Sequence, residues 1–231
     1  MLSQKDNELL TRVGPGTPMG ELMRRYWIPA AFSHQIEQPG SPPVRVKLLG
    51  ERLVAFRDTQ GRVGLIDERC PHRTASMYFG RNENCGLRCV YHGWLFDIEG
   101  NCIDLPSEPP GSTLMRKVKI KAYPCVERGG VVWTYMGPKE LQPEFPDLEW
   151  TRLPASHRHL TRHIQECNWL QGFEGGFDTS HLSFLHSGTA DHTVSAVPSR
   201  YEVVGTDFGF ICGTGRDLPN NEVSWTANVM L

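Results

Sequence analysis

Two short segments, each with one cysteine and one histidine, constrain the fold of this chain more than any other feature. They are Cys70-Pro-His72 and Cys89-Val-Tyr-His92, and sixteen residues lie between His72 and Cys89. Structural zinc modules usually pair cysteine with cysteine and histidine with histidine, whereas both segments here are mixed. Mixed loops divide thiolates and imidazoles between two neighbouring irons, as in a [2Fe-2S] cluster with two cysteines on one iron and two histidines on the other. The spacing therefore predicts a fold built around a two-iron cluster.

Two alternatives to this cluster remain open from the residues alone. One is a Cys₂His₂ zinc site, and the other is a chance grouping in a chain with seven cysteines and nine histidines. Cys85 and Cys102 lie near the two loops, but neither has a histidine at loop spacing. We therefore expect both of these cysteines to be packing or surface thiols.

The ligand set is that of a Rieske cluster, and the flanking residues indicate which kind. In respiratory-type Rieske proteins an extra cysteine follows each loop, three residues beyond its histidine, and the two cysteines form a disulfide. The matching positions here are Ala75 and Leu95. Because these two cysteines are absent, the sequence favours the lower-potential Rieske domain found in oxygenases.

Composition excludes several other classes of protein. The 231 residues allow one or two domains, and 24 basic against 26 acidic residues give no basis for nucleic-acid binding. The first thirteen residues lack an apolar h-region, and nowhere do 18 apolar residues run together. These features, with cysteines at irregular spacing, predict a cytoplasmic protein with no membrane contact in a reducing compartment.

Apolar periodicity predicts a small antiparallel β unit around the cluster loops. Residues 18–32 suggest a short helix that begins near Pro18 and stops before Pro29, with Leu22, Tyr26 and Trp27 on its apolar side. Residues 44–49, 52–58 and 62–67 alternate as strands, and 94–105 predict a hairpin. The proline-rich segment 104–112 is either a third loop over the cluster or a plain linker.

After residue 112 the alternation of polar and apolar residues continues for one more strand and then weakens. Lys117, Lys119 and Lys121 alternate with aliphatic residues, which predicts a strand with a lysine face. That face is either simply solvated or a docking patch for an acidic electron donor. Residues 138–154 contain four prolines, so we expect a domain boundary near residue 145 and two domains, 1–145 and 146–231.

A second group of candidate ligands follows this boundary. Its members keep the order N-W-x₄-E-x₃-D-x₂-H-x₄-H: Asn168, Trp169, Glu174, Asp178, His181 and His186. Asp178 and His181, three residues apart, would share a helix face, and His186 would meet His181 across a helix end or bend. Two histidines and one carboxylate with open positions are the facial triad of non-haem Fe(II) oxygenases. A histidine-rich helix without metal is the alternative.

With both motifs and the opening LLTRVGPGTPMGELMRRYWIPA, the chain resembles the α-subunit of Rieske non-haem iron aromatic ring-hydroxylating oxygenases. The opening is similar to the branch that contains phthalate dioxygenase and the aromatic O-demethylases. The resemblance implies an α+β protein: an antiparallel β Rieske [2Fe-2S] domain, then the start of a helix-grip-like catalytic domain with mononuclear Fe(II). It also implies a homotrimer, a separate NAD(P)H-dependent flavin and iron-sulfur reductase, and an aromatic acid substrate oxidised with O₂.

The resemblance assigns roles to the second motif and exposes one departure. His181 and His186 would be iron ligands, and Asp178 would link a ligating histidine to His92 or His72 of a neighbouring protomer. The family's third iron ligand is an aspartate more than a hundred residues further on, so we expect it downstream of Leu231. The chain would then be either a fragment or a truncated product. Three later aspartates lie too early to match it: Asp191, Asp207 and Asp217. Dihydroxylation, O-demethylation, and a Rieske ferredoxin-like carrier without catalysis remain the functional alternatives.

Overall fold

The structure is a computed structural model that describes residues 2–109, 111–186, 200–207, 209–218 and 221–230. It divides into two compact units, residues 1–162 and 163–231, which are described separately. Within the described ranges, no helix has the length and apolar character needed to cross a membrane.

The N-terminal segment differs from its predicted helix. Helix α1 spans Gln4–Thr11 and helix α2 spans only Pro18–Met23, with the Thr17 hydroxyl accepting from Gly20 N–H at its start. Strand β1 begins at Trp27 and runs to Phe32, so the predicted extension of the helix towards Pro29 is wrong. Leu22 and Tyr26, placed on the apolar side, are exposed. Proline is tolerated in β1 because this strand lies at a sheet edge.

The predicted alternating segments form the central antiparallel sheet. Strands β2 (Val44–Leu48), β3 (Glu51–Arg57) and β4 (Val63–Asp67) pair in order, and β9 (Ala122–Tyr123) adds to β4. Side chains of β3 alternate between two buried clusters, Val54 and Phe56 in one and Leu53 and Ala55 in the other. Both faces of the sheet are therefore covered, and the first cluster extends to Cys70 and Cys89.

Four short strands carry the second cysteine loop. Strands β5 (Arg81–Glu83), β6 (Gly86–Arg88), β7 (Leu95–Phe96) and β8 (Cys102–Asp104) pair antiparallel in chain order. The cysteine loop connects β6 to β7, and the β7–β8 hairpin turns where the sequence predicts it. Because Leu87 and Phe96 are fully buried and cross-strand partners, they fix the base of this loop.

Strand β11 (Val131–Tyr135) pairs with β1 on one side and with β10 (Cys125–Arg128) on the other, which completes the β architecture of the first unit. A proline-rich strap, residues 138–152, follows β11. Phe145 of the strap packs edge-on against Trp27 and Trp133, and Trp27 Nε1 donates to Pro143 O at 3.1 Å. The predicted boundary near residue 145 falls inside this strap and stays a prediction.

The predicted lysine strand is only partly regular. Lys119 forms a single bridge with Asn101, and the regular ladder begins at Ala122. The side-chain alternation nevertheless holds, since Lys117 and Lys119 are exposed while Ile120 is buried.

The second unit combines two helices with a three-stranded antiparallel sheet. Helices α3 (Trp169–Phe177) and α4 (Leu182–Leu185) precede strands β12 (Arg200–Thr206), β13 (Gly209–Asp217) and β14 (Val223–Met230). The sheet order is β12-β13-β14, as the alternating sequence predicts. Helices beside an antiparallel sheet agree with the predicted α+β class.

Candidate metal centres

The two cysteine loops have the same backbone structure. In the first, Cys70 N–H donates to Ala75 O at 2.9 Å and Thr74 N–H donates back to Cys70 O at 2.9 Å. In the second, Cys89 N–H donates to Trp94 O at 2.9 Å and Gly93 N–H to Cys89 O at 3.0 Å. The residue four positions after each cysteine is left-handed, with φ of 58° at Thr74 and 76° at Gly93. The two loops therefore use the same type of turn to direct their cysteine and histidine towards the other loop.

The loops bring two buried thiols together. Cys70 and Cys89 are each 2% exposed, and neither forms a disulfide. Burial raises the pKa of the Cys70 thiol to about 11, and the neighbouring Cys89 acts in the same direction, although backbone N–H groups of His72 and Arg73 oppose both. A thiol in this setting keeps its proton until a metal displaces it.

The two imidazoles form the more accessible half of the centre. The rings of His72 and His92 are half-buried, with centroids 4.5 Å apart. Trp94 stacks on His72 at 4.4 Å with an interplanar angle of 5°, which limits rotation of the His72 ring. Burial, and secondarily the positive charge of His92, lowers the pKa of His72, which favours the neutral form that binds metal.

A third segment lies against the second loop. Leu105 is buried in the cluster that includes both cysteines, and a Cβ on Gly93 would lie 2.7 Å from Pro106 Cγ. Of the two sequence interpretations of segment 104–112, the packing of Leu105 and Pro106 favours the covering loop.

The donor set fits a two-iron cluster. His72 Nδ1 is buried and has no hydrogen-bond partner among the described residues, which leaves a lone pair for metal. Within the described ranges, no group of three or more His, Cys, Asp or Glu side chains is arranged to hold a single metal ion. In a Rieske cluster each iron takes only two protein ligands, so two separate pairs are expected.

The predicted iron ligands of the second unit lie at the two ends of α4. His181 precedes this four-residue helix and His186 follows it, and their ring centroids are 5.3 Å apart. The two histidines thus meet across a helix end, as predicted. Asp178 and His181, by contrast, do not share a helix face, because Asp178 ends α3 and the chain turns before α4.

Asp178 contacts His181 across this turn. Asp178 Oδ1 accepts from Ser180 N–H at 2.8 Å, and Oδ2 lies 3.2 Å from His181 Nδ1. The Ser180 N–H, and then His181, lowers the pKa of Asp178, so its carboxylate stays ionised. An ionised acceptor at Nδ1 holds the proton there and leaves Nε2 of His181 for metal. Arg216 of β13 anchors the same turn through Thr179 O at 2.8 Å.

The third iron ligand is expected downstream of Leu231, and three earlier aspartates are not expected to match it. Asp207 and Asp217 are not grouped with the histidines, and Asp191 lies outside the described residues.

Sequence reasoning missed Arg88 and Trp94, which contact the loops directly. A visible signal for Arg88 was that an arginine precedes the cysteine in both loops.

Comparison with known proteins agrees with this geometry. Residues 26–124 match the Rieske [2Fe-2S] domain family, and residues 134–201 match the family described as LigXa C-terminal domain like. The 3-chlorobenzoate-3,4-dioxygenase oxygenase subunit of Comamonas testosteroni is 51% identical over 87% of this chain and 47% of its own length. The phthalate 4,5-dioxygenase oxygenase subunit of Pseudomonas putida is 49% identical over 81% and 43%, respectively. The 5,5'-dehydrodivanillate O-demethylase oxygenase subunit of a Sphingobium species is 46% identical over 81% and 44%.

A solved structure, dicamba monooxygenase bound to dicamba, has a TM-score of 0.69 at 24% identity and covers 83% of this chain and 56% of its own. It supports the fold. Fold and ligand loops together define a Rieske [2Fe-2S] domain, followed in the chain by a second unit of α+β character. The chain belongs to the Rieske non-haem iron oxygenase α-subunit family, in the branch with phthalate dioxygenase and the O-demethylases. The [2Fe-2S] cluster and non-haem iron are accordingly its family cofactors, and the chain spans about half the length of these relatives.

Proposed function

We propose that this chain supplies the electron-accepting domain, and the start of the catalytic domain, of an oxygenase component that oxidises an aromatic substrate with O₂. The single observation that supports this most is the pair of matching loops. They bury two thiols and present two imidazoles, and Asp178, His181 and His186 follow in the same chain. Cys70 and Cys89 would hold one iron, and His72 and His92 the other.

When bound, the cluster would supply electrons one at a time and the mononuclear iron would supply O₂ activation. The chain's own residues shield these groups from water and orient their ligands. Cys70 and Cys89 exclude water from one side, while the half-buried histidines form the side through which an electron enters or leaves. Asp178 fixes the tautomer and orientation of His181.

The proposed partners follow from the relatives. Oxygenase subunits require a second protein as electron source, so we infer an NAD(P)H-dependent flavin and iron-sulfur reductase. Two of the relatives act, by their names, on 3-chlorobenzoate and phthalate, which favours an aromatic acid substrate. We further infer a cytoplasmic homotrimer that contacts neither membrane nor nucleic acid.

O-demethylation is the second candidate reaction, and the observation that favours it is the 46% identity to the O-demethylase subunit. Product analysis distinguishes ring dihydroxylation from O-demethylation. Ring dihydroxylation retains every substrate carbon, whereas O-demethylation of a methoxy-substituted acid releases a one-carbon product. Assays of the reductase-supplied protein with both acid types would decide between them.

The ligand assignment is tested by two cysteine substitutions in protein purified without air. Cys89→Ser should abolish the visible absorption and the electron-resonance signal of the cluster. Cys85→Ser is the matched control, because its thiol is half-buried in the β5–β6 turn and contacts Thr59. A colourless Cys85→Ser variant would contradict the assignment.

Metal analysis of the same preparation separates the remaining classes. Two irons and two sulfides with additional iron support an oxygenase, and a cluster without further iron in the complete protein would indicate an electron carrier. Colourless protein containing zinc would overturn both.

A further inference from the structure

An arginine closes each ligand loop in the same way. Arg69 and Arg88 directly precede the two cysteines. Arg69 Nη1 donates to Thr74 O at 3.2 Å, and Arg88 Nη1 donates to Gly93 O at 2.5 Å. Each acceptor is the residue four positions after the cysteine, where the backbone is left-handed. Both guanidinium groups therefore join the beginning of a loop to its end.

The two arginines differ in surroundings. Arg69 is exposed, whereas Arg88 is only 8% exposed. Arg88 Nε donates to Glu83 Oε1 on β5, and Arg88 Nη1 also donates to Asp104 Oδ2 on β8 at 2.7 Å. The second loop is thus tied to both hairpins that flank it. The Arg88 guanidinium is buried and the two carboxylates are partly exposed, so its removal would break these charge-assisted hydrogen bonds and take the side-chain donor away from Gly93 O.

We propose that Arg88 is a positioning residue that holds the second ligand loop, and through it His92, in the geometry that retains the cluster. Arg69 makes the corresponding contact in water, where the same hydrogen bond contributes less. The proposal rests on the proposed function, since it assumes that this loop carries cluster ligands. It goes beyond that function by assigning the stability of the cluster to a residue that is not itself a ligand.

The test compares Arg88→Gln with Arg69→Gln in the iron-loaded protein. Transfer of iron to an added chelator is followed by loss of visible absorption. Arg88→Gln should lose its cluster roughly 10- to 100-fold faster, the usual range for groups that orient metal ligands. Arg69→Gln should stay close to the native rate. Equal rates for all three proteins would overturn the proposal.

A second control separates positioning from general destabilisation. Arg24 is also buried, pairs with Glu51, and donates to the carbonyls of Val13, Gly20 and Leu49, none of which belongs to the ligand loops. Arg24→Gln should therefore lower the melting temperature without the large change in cluster loss. If Arg24→Gln and Arg88→Gln release the cluster equally fast, Arg88 is merely structural and the proposal fails.

The reduction potential provides a readout that folding alone would not move. Arg88→Gln removes a positive charge beside the second loop and takes away the cation that pairs with Asp104, while Glu83 keeps its ion pair with Arg81. Adding an electron to the cluster therefore becomes less favourable, and the reduction potential should fall. Asp104→Asn removes a negative charge and should raise it, whereas Arg88→Lys, which keeps the charge, should restore most of the native potential. Shifts of the same sign in Arg88→Gln and Asp104→Asn would contradict the proposal. Absence of a Rieske signal in the native protein would instead refute the proposed function.

Discussion

At the residue scale, Gly93 illustrates how closely the ligand loops are packed. Its φ of 76° is a left-handed conformation that costs side-chain-bearing residues about 1–2 kcal/mol. A Cβ there would also lie 2.7 Å from Pro106 Cγ. Thr74 occupies the equivalent place in the first loop with a side chain exposed to solvent. Because Thr74 makes the same turn with a side chain, the covering segment is what requires glycine at position 93.

We predict that Gly93→Ala destabilises the protein by about 1–3 kcal/mol more than a matched left-handed glycine, because overpacking adds to backbone strain. Gly61 is that match, since its φ is 81° and no atom lies within 4 Å of a Cβ built there. Denaturant unfolding of Gly93→Ala and Gly61→Ala gives the two free energies of unfolding. Equal losses would mean that Pro106 moves aside freely.

At the scale of elements, the ligand loops lack the disulfide of respiratory Rieske proteins. Ala75 and Leu95 take its positions, Leu95 is buried, and all seven cysteines are free. We therefore predict a potential near the lower end of the Rieske range of roughly −150 to +300 mV. An electron-resonance redox titration measures it. A midpoint in the upper part of that range would show that another feature of the loops sets the potential.

A second charged network surrounds Glu51, the first residue of β3, and its effect on stability depends on pH in a predictable direction. Burial by itself raises the pKa of Glu51, but hydrogen bonds from Arg24, Lys121 and Tyr123 outweigh it, so the net pKa lies below its ordinary value of 4.5. A carboxyl with a lowered folded pKa stabilises the fold above its unfolded pKa. That contribution is lost as the pH falls through the folded pKa.

Glu51→Gln should therefore be less stable than the native chain near neutral pH, and the difference should shrink as the pH falls below 4.5. Urea unfolding across this range measures it. The exposed Glu144→Gln is the control, and its curve should run parallel to that of the native chain. A Glu51→Gln difference that is constant with pH would mean that the carboxylate charge adds nothing.

These elements also show what the sequence could and could not predict. Local periodicity predicted β2, β3, β4 and the β7–β8 hairpin, because side chains alternate between two covered faces. Pro29 was misleading, since it lies in an edge strand where its missing N–H costs little. The contacts of Glu51 with Lys121 and Tyr123 join residues 70 and 72 positions apart, and no local pattern reveals them. In the candidate site the ligand spacing was visible, whereas the stacking of Trp94 on His72 depended on the folded loops.

At the scale of the whole molecule, the chain combines two kinds of site in two units. The first unit contains a complete pair of ligand loops, and the second presents two histidines and the carboxylate that contacts one of them. The contact between His181 and His186 could be predicted from the sequence, because only the four-residue helix α4 separates them. The role of Asp178 depends on its partners, since Oδ1 is taken by Ser180 and Oδ2 by His181.

We predict that Asp178 conducts electrons between the two centres and is not an iron ligand. Its carboxylate would join His181 to His92 or His72 of a neighbouring protomer, so that one hydrogen-bonded chain links the metals. Asp178→Asn keeps the shape of the side chain but removes the charge that holds the His181 proton. In the complete iron-loaded protein both metal centres should remain occupied, while stopped-flow oxidation of the reduced cluster by O₂ with substrate should slow severely. Loss of the mononuclear iron would instead indicate direct ligation, and an unchanged rate with both metals bound would reduce Asp178 to the residue that ends α3.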